Sequence, residues 1–233
     1  MVTNQDTDRK PVQAASRAAR PGRRLLRLAE RTFHWILAPG LVLAIGISEY
    51  GNLLPYAAGR EAAWTVTIYG LHKTVGLAML FLVPGLAIAL RPWRRRAVPT
   101  GRVGWAPVLD RVVFWGLMVG AFVIPVSGPI LHGMGPGWGY APVWWGLPNR
   151  VPFVPERLAA GPVTRDFHIQ SFWLFSALAI THVILACRVW LMRRQPSPRR
   201  WIRLRLPPLA HRLAPLIGAA LWVGLAIYSW TTA

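Results

Sequence analysis

Five apolar segments, separated by connections that alternate in basic content, constrain the fold of this chain more than any other feature. The segments cover residues 32–50, 66–90, 107–131, 168–192 and 213–231. A helix needs about 20 residues to cross a hydrocarbon core, so the last segment is near the short limit. Charged residues make up only 15% of the chain, against about 25% in soluble domains. The sequence therefore predicts an all-α membrane protein.

The distribution of lysine and arginine predicts how the spans are oriented. Of 27 such residues, eight lie in residues 1–31, six in 91–111 and eight in 188–212. Basic connections remain in the cytoplasm, so five spans with a cytoplasmic N-terminus fit this alternation. A cleaved signal peptide is the alternative interpretation of the first segment, but the alternation requires that segment to be retained. Charge clustered between apolar segments indicates contact with membrane lipid and not with nucleic acid, despite a net charge of +19.

Four histidines lie at two predicted membrane depths. His168 and His182 are 14 residues apart in one segment, which corresponds to about 21 Å of helical rise and nearly the same helix face. His34 is near the start of the first span, on the inner side, and His72 is near the start of the second, on the outer side. Depth alone therefore pairs His34 with His182 and His72 with His168.

Two imidazoles at one depth favour haem iron over other metal sites. Bis-histidine ligation inside a helical bundle suits electron transfer, whereas zinc would usually require four ligands at one point. The single cysteine excludes a Cys-x-x-Cys-His attachment and a cysteine-ligated iron–sulfur cluster. We therefore predict an inner haem iron held by His34 and His182 and an outer haem iron held by His72 and His168.

Other polar residues leave alternatives open. His132 and His211 have no evident partner at their depth, and an interfacial role is favoured for both; His132 could instead contact a haem propionate or assist proton transfer. Lys73 could pair with a propionate, attract an anionic substrate or simply extend its amine to the interface. Asp166 is a candidate acceptor that would orient the imidazole of His168.

Several motifs, taken in order, resemble the bacterial cytochrome b561 and nickel-hydrogenase b-type cytochrome family. They are ThrPheHisTrp at 32–35, LeuHisLysThrValGly at 71–76, IleProValSerGly at 124–128, TrpTrpGlyLeuProAsn at 144–149 and the pair His168/His182. The resemblance covers roughly residues 30–192. It implies a four-helix bundle that binds two haem b groups through His34, His72, His168 and His182. It also implies electron transfer between membrane quinones and a second donor or acceptor.

The chain departs from the family pattern at two places. Family members often carry an arginine late in the second span, whereas the first arginine here is Arg91. In that stretch, Pro84 and Gly85 predict a kink that could open a small cavity. A fifth span follows the four-helix bundle, either as a helix that docks a partner or as a peripheral addition.

The predicted organisation has four parts. They are a basic, partly disordered cytoplasmic tail at 1–31, a four-helix di-haem cytochrome b domain at 32–192, a basic cytoplasmic linker at 193–212 and an additional transmembrane helix at 213–231. Residues 23–31 could form a basic amphipathic helix, and the Trp-rich connection at 131–167 is expected to cap the outer end of the bundle.

The predicted function is electron transfer across the bacterial inner membrane between a quinone and an outer-side redox partner. The chain would serve as the membrane-anchor or electron-transfer subunit of a dehydrogenase-type complex. A stand-alone quinone-linked oxidoreductase, such as a superoxide oxidase, is the alternative, and a non-redox small membrane protein is a third interpretation. The direction of electron flow and the side on which quinone binds stay open.

Overall fold

Five long helices form a membrane-spanning bundle. The structure, a computed structural model, describes residues 21–54, 63–89, 103–132, 162–194 and 205–232. The helices are α1 (Pro21–Asn52), α2 (Ala63–Ala89), α3 (Trp105–His132), α4 (Pro162–Arg194) and α5 (Pro208–Thr232). Each is long and apolar enough to cross a membrane, which confirms the predicted all-α membrane fold. A two-residue antiparallel ladder between β1 (Val103–Gly104) and β2 (Arg205–Leu206) joins the segments that lead into α3 and α5.

The helices extend beyond the apolar segments of the sequence. Helix α1 begins at Pro21, so residues 23–31 form one continuous helix with the first span and not a separate amphipathic helix. Helix α5 begins at Pro208, earlier than the predicted position near 213. Arginine and leucine favour helix formation, and proline is well suited to a first helical turn. Hydropathy marks the apolar part of a helix, and the polar ends continue past it.

Three predictions lie outside the described residues. They are the disorder of the N-terminal tail before residue 21, the tryptophan-rich cap, which falls largely within 133–161, and the conformation of the basic linker across 195–204.

Helices α1 and α2 form a closely packed antiparallel hairpin. Large side chains of one helix pack against glycines of the other, as Met79 does against Gly40. A Cβ atom added at Gly85 would lie 2.5 Å from two carbons of the Phe33 ring. The predicted cavity beside Pro84 is therefore absent at Gly85, because the Phe33 ring fills that position.

Helix α5 is an integral member of the bundle. A Cβ atom added at Gly218 would lie 2.5 Å from the Val112 carbonyl oxygen and 2.8 Å from the Gly116 nitrogen on α3. Trp222 is 3% exposed, and its indole N–H donates to the Gly116 carbonyl at 2.8 Å. Small residues allow this close approach of two membrane helices. Of the two roles that the sequence left open, a peripheral addition does not fit this packing.

The candidate site lies where α4 faces the α1–α2 hairpin. Helix α4 packs against α3 and α5, and α2 packs against α3. Within the described ranges, the backbone of α4 makes few close approaches to α1 or α2. Apolar side chains such as Leu37, Val113 and Phe175 join the helices into one core cluster. The four predicted histidines lie on these three helices, α1, α2 and α4.

Candidate functional site

The structure brings the four histidines together in two pairs. The ring centroids of His34 and His182 are 6.3 Å apart, with the ring planes inclined at 72°. The centroids of His72 and His168 are also 6.3 Å apart, with the planes inclined at 75°. These are the two pairs predicted from membrane depth. Helix α4 supplies one histidine to each pair, and about 21 Å of helical rise separates them.

The separation within each pair fits one metal ion between two imidazoles. A histidine nitrogen binds a first-row metal at about 2.0–2.1 Å, and it lies roughly 1 Å from the centroid of its ring, so two ligating rings have centroids about 6 Å apart. Both pairs have this separation. In the part of the chain that the structure describes, no three His, Cys, Asp or Glu residues converge as a metal site. Two imidazoles at each of two levels are the ligand set expected for haem iron, whereas zinc usually takes four ligands at one point.

Hydrogen bonds surround both rings of one pair. Nδ1 of His72 lies 2.8 Å from the Ala44 carbonyl oxygen, which can only accept a hydrogen bond. The His72 ring therefore carries its hydrogen on Nδ1 and its lone pair on Nε2. Nδ1 of His168 lies 2.8 Å from Ser127 Oγ, which also lies 2.9 Å from the Ile124 carbonyl oxygen, so the same tautomer of His168 would have an acceptor for its hydrogen. Metal-ligating histidines commonly have this arrangement.

Two glycines lie beside this pair. A Cβ atom added at Gly128 would lie 3.4 Å from Cε1 of His168, so α3 approaches that ring closely. A Cβ atom at Gly76 would meet nothing within 4 Å. Gly76 lies one turn after His72 and on the same face of α2. Neither glycine places a side chain beside the two imidazoles, and the residues present fit a haem held between them.

The other pair has a different hydrogen-bonding environment. Nδ1 of His182 is buried and has no hydrogen-bond partner among the residues that the structure describes. His34 is exposed on the bundle, and its ring packs edge-on to Trp35 with centroids 5.5 Å apart. The two pairs therefore share their spacing and differ in what surrounds them.

Comparison with known families identifies the chain. It matches the family described as prokaryotic cytochrome b561 over residues 26–202, which is more than half of its length. The chain belongs to the prokaryotic cytochrome b561 family. This cytochrome is therefore a multi-pass membrane protein that binds b-type haem and takes part in electron transfer. Searches of the curated proteins and of the solved structures gave no significant match.

The remaining candidate residues of the cytochrome occupy different positions. Ser127, and not Asp166, contacts Nδ1 of His168, which corrects the expected orienting role of Asp166. Lys73 is half-buried directly after the histidine of α2, and its roles remain predictions. His211 lies on α5 with a buried Nδ1 that has no partner in the described ranges. The side chain of His132 lies outside the described residues.

Sequence reasoning missed the two groups that orient the histidines. Ser127 could have been found as a polar residue inside an apolar segment, in the motif IleProValSerGly at 124–128. The Ala44 carbonyl could not have been found from the sequence. Every residue carries a backbone carbonyl, and only the fold shows which one contacts Nδ1 of His72. Residues that support ligands are therefore harder to predict than the ligands themselves.

Proposed function

We propose that His34 and His182 are the axial ligands of one haem b and that His72 and His168 are the axial ligands of a second. The observation that carries this proposal is the equal 6.3 Å spacing of two histidine pairs at two levels of α4. Haem b bound at each pair would supply a one-electron couple between Fe(III) and Fe(II). Two histidines at each iron would leave no open position for oxygen, an arrangement that suits electron transfer.

The protein around the pairs holds the ligands in place, and burial limits access of water at the His72–His168 pair. Helix α4 fixes the distance between the two levels, and the α1–α2 hairpin presents the opposing histidines. Buried side chains of the core cluster, among them Leu41 and Leu178, give the bundle a low-dielectric interior. Burial and hydrogen bonding around axial ligands are means by which proteins set haem potentials.

We propose further that the His72–His168 pair lies toward the outer side of the bacterial inner membrane and the His34–His182 pair toward the cytoplasm. The alternation of basic connections supports this orientation. The cytochrome would then carry electrons between a quinone and an outer-side redox partner.

An anchor subunit of a dehydrogenase-type complex is the form of this function that we favour. Helix α5 buries one face against α3 and exposes large apolar side chains elsewhere, including Leu216, Val223 and Ile227. Such a surface accepts lipid or a transmembrane partner. Isolation of the tagged protein from its native membrane tests this proposal. Recovery of a stoichiometric redox subunit is expected. Quinone reduction by the isolated chain with superoxide as donor would instead support the stand-alone oxidoreductase.

Substitution of one ligand tests the haem assignment. His168→Ala should remove about half of the b-type absorbance, because the His34–His182 pair lies at another level and keeps both ligands. His211→Ala is the matched control, since it removes a histidine of α5 that belongs to neither pair, and it should retain both haems. Pyridine haemochrome counts of the purified proteins measure the outcome. Two haems per chain in His168→Ala would contradict the assignment.

A further inference from the structure

A hydrogen bond between α3 and α4 connects a buried serine to one of the paired histidines. Ser127 is 6% exposed and lies between Pro125 and Pro129, both inside α3. Its hydroxyl oxygen is 2.8 Å from Nδ1 of His168, a contact that spans 41 residues of sequence. Burial protects this bond from competition by water.

The direction of this hydrogen bond follows from the ligation proposed above together with the chemistry of a hydroxyl group. A serine has one hydrogen to donate and two lone pairs that accept. The Ser127 hydrogen is donated to the Ile124 carbonyl at 2.9 Å. With Nε2 of His168 as the proposed iron ligand, the imidazole hydrogen lies on Nδ1, so the imidazole donates to the hydroxyl oxygen.

A second buried serine shows that this contact is not a general property of serines in this bundle. Ser171 is 0% exposed and lies on α4, three residues after His168. Its hydroxyl donates to the Phe167 carbonyl of the same helix at 2.6 Å, which is the ordinary local bond of a serine in a helix. Ser171 therefore offers a comparison of equal size and burial.

We infer that Ser127 is a positioning residue that holds His168 ready to ligate iron and lowers the reduction potential of the haem at the His72–His168 pair. This inference rests on the proposed function. An acceptor on the outer ring nitrogen fixes the tautomer and orientation of a ligating histidine and makes it a stronger electron donor. A stronger donor favours Fe(III) over Fe(II), so the potential falls.

Substitution at Ser127 tests this role through the haem potential and not through activity. Ser127→Ala removes the acceptor, and the potential of one of the two haems should rise, with a rise of about 59 mV for each tenfold loss of preference for Fe(III). Affinity for that haem should also fall by about 10–100-fold, as for other ligand-supporting partners. Redox titration of the purified cytochrome followed at the b-type absorbance bands measures the potentials.

Matched variants distinguish the effect of the lost hydrogen bond on the haem potential from the effect of lost packing. Ser127→Thr keeps the acceptor oxygen and should titrate close to the wild type. Ser127→Cys keeps the approximate size with a weaker acceptor and should shift the same haem upward by less than Ser127→Ala. Ser171→Ala removes a buried hydroxyl that does not contact a histidine, and both potentials should stay unchanged.

Two outcomes would overturn the inference. If the wild type holds both haems and neither Ser127→Ala nor Ser127→Cys shifts a potential, the role of Ser127 is refuted while the proposed function stands. If the wild type binds no haem at the His72–His168 pair, the proposed function fails and this inference fails with it.

Discussion

Replacing Gly218 by valine should push α5 away from α3 and lower the free energy of unfolding of the bundle. The size of this loss can be worked out from three distances. In Gly218→Val, the new Cβ would lie 2.5 Å from the Val112 carbonyl oxygen, 2.8 Å from the Gly116 nitrogen and 3.0 Å from the Trp115 Cβ. Ordinary contacts between carbon atoms begin near 3.5 Å, so α5 must move away by about 1 Å, which loses roughly a quarter to a half of the dispersion energy of the adjoining contacts.

The loss in the free energy of unfolding should lie at the upper end of the range measured for overpacked sites. Overpacking typically costs about 1–3 kcal/mol, and two of the atoms met by the new Cβ belong to the backbone, which cannot rotate away. The same movement would stretch the bond from the Trp222 indole to the Gly116 carbonyl, which measures 2.8 Å and contributes about 1 kcal/mol. We therefore expect a loss of about 3–4 kcal/mol in the free energy of unfolding.

Thermal unfolding in detergent, followed by circular dichroism, measures this loss. Gly224→Val is the matched control, because it places the same side chain on the same helix and a Cβ there meets nothing within 4 Å. Both variants change helix propensity alike, so their difference reports packing alone. Equal melting temperatures for Gly218→Val and Gly224→Val would refute the reasoning that α5 is packed at backbone contact distance.

Two further predictions concern the candidate haem sites. Gly85→Val should displace the Phe33 ring, which lies 2.5 Å from the new Cβ, and should lower haem occupancy at the neighbouring His34. Gly224→Val, on a helix that carries none of the four candidate ligands and where a Cβ meets nothing within 4 Å, should leave haem content unchanged, and equal haem content in both variants would argue against the prediction. The two haems should also titrate at different reduction potentials. The lower potential is expected at the His72–His168 pair, whose Nδ1 atoms have hydrogen-bond acceptors. The higher is expected at the His34–His182 pair, since Nδ1 of His182 has no acceptor among the described residues. Redox titration of the wild type and His168→Ala assigns each potential, and loss of the higher-potential component in that variant would contradict this order.

The histidine pairs could be predicted from sequence because only one coordinate, the depth of each histidine in the membrane, was needed to match them. Once the spans alternate in direction, the position of a histidine within its span gives its depth, and depth alone matched His34 with His182 and His72 with His168. The structure places those rings 6.3 Å apart in both cases. A long helix converts sequence separation into distance with little ambiguity.

Packing between helices could not be read in the same way. Gly85 suggested a cavity from its sequence context, but whether a glycine leaves space or receives a side chain depends on the neighbouring helix, which here supplies the Phe33 ring. The integration of α5 likewise depends on Gly218 meeting the backbone of α3. Hydropathy reports which segments enter a membrane and does not report which faces meet.

The most direct test of the account is the reduced-minus-oxidised visible spectrum of the detergent-purified protein, together with a pyridine haemochrome count of haem per chain. Two histidine pairs with the spacing of iron ligands predict a b-type spectrum and a count near two. Protein made with adequate haem supply that shows no b-type spectrum would contradict the assignment of both pairs, and a count near one would contradict the assignment of one of them.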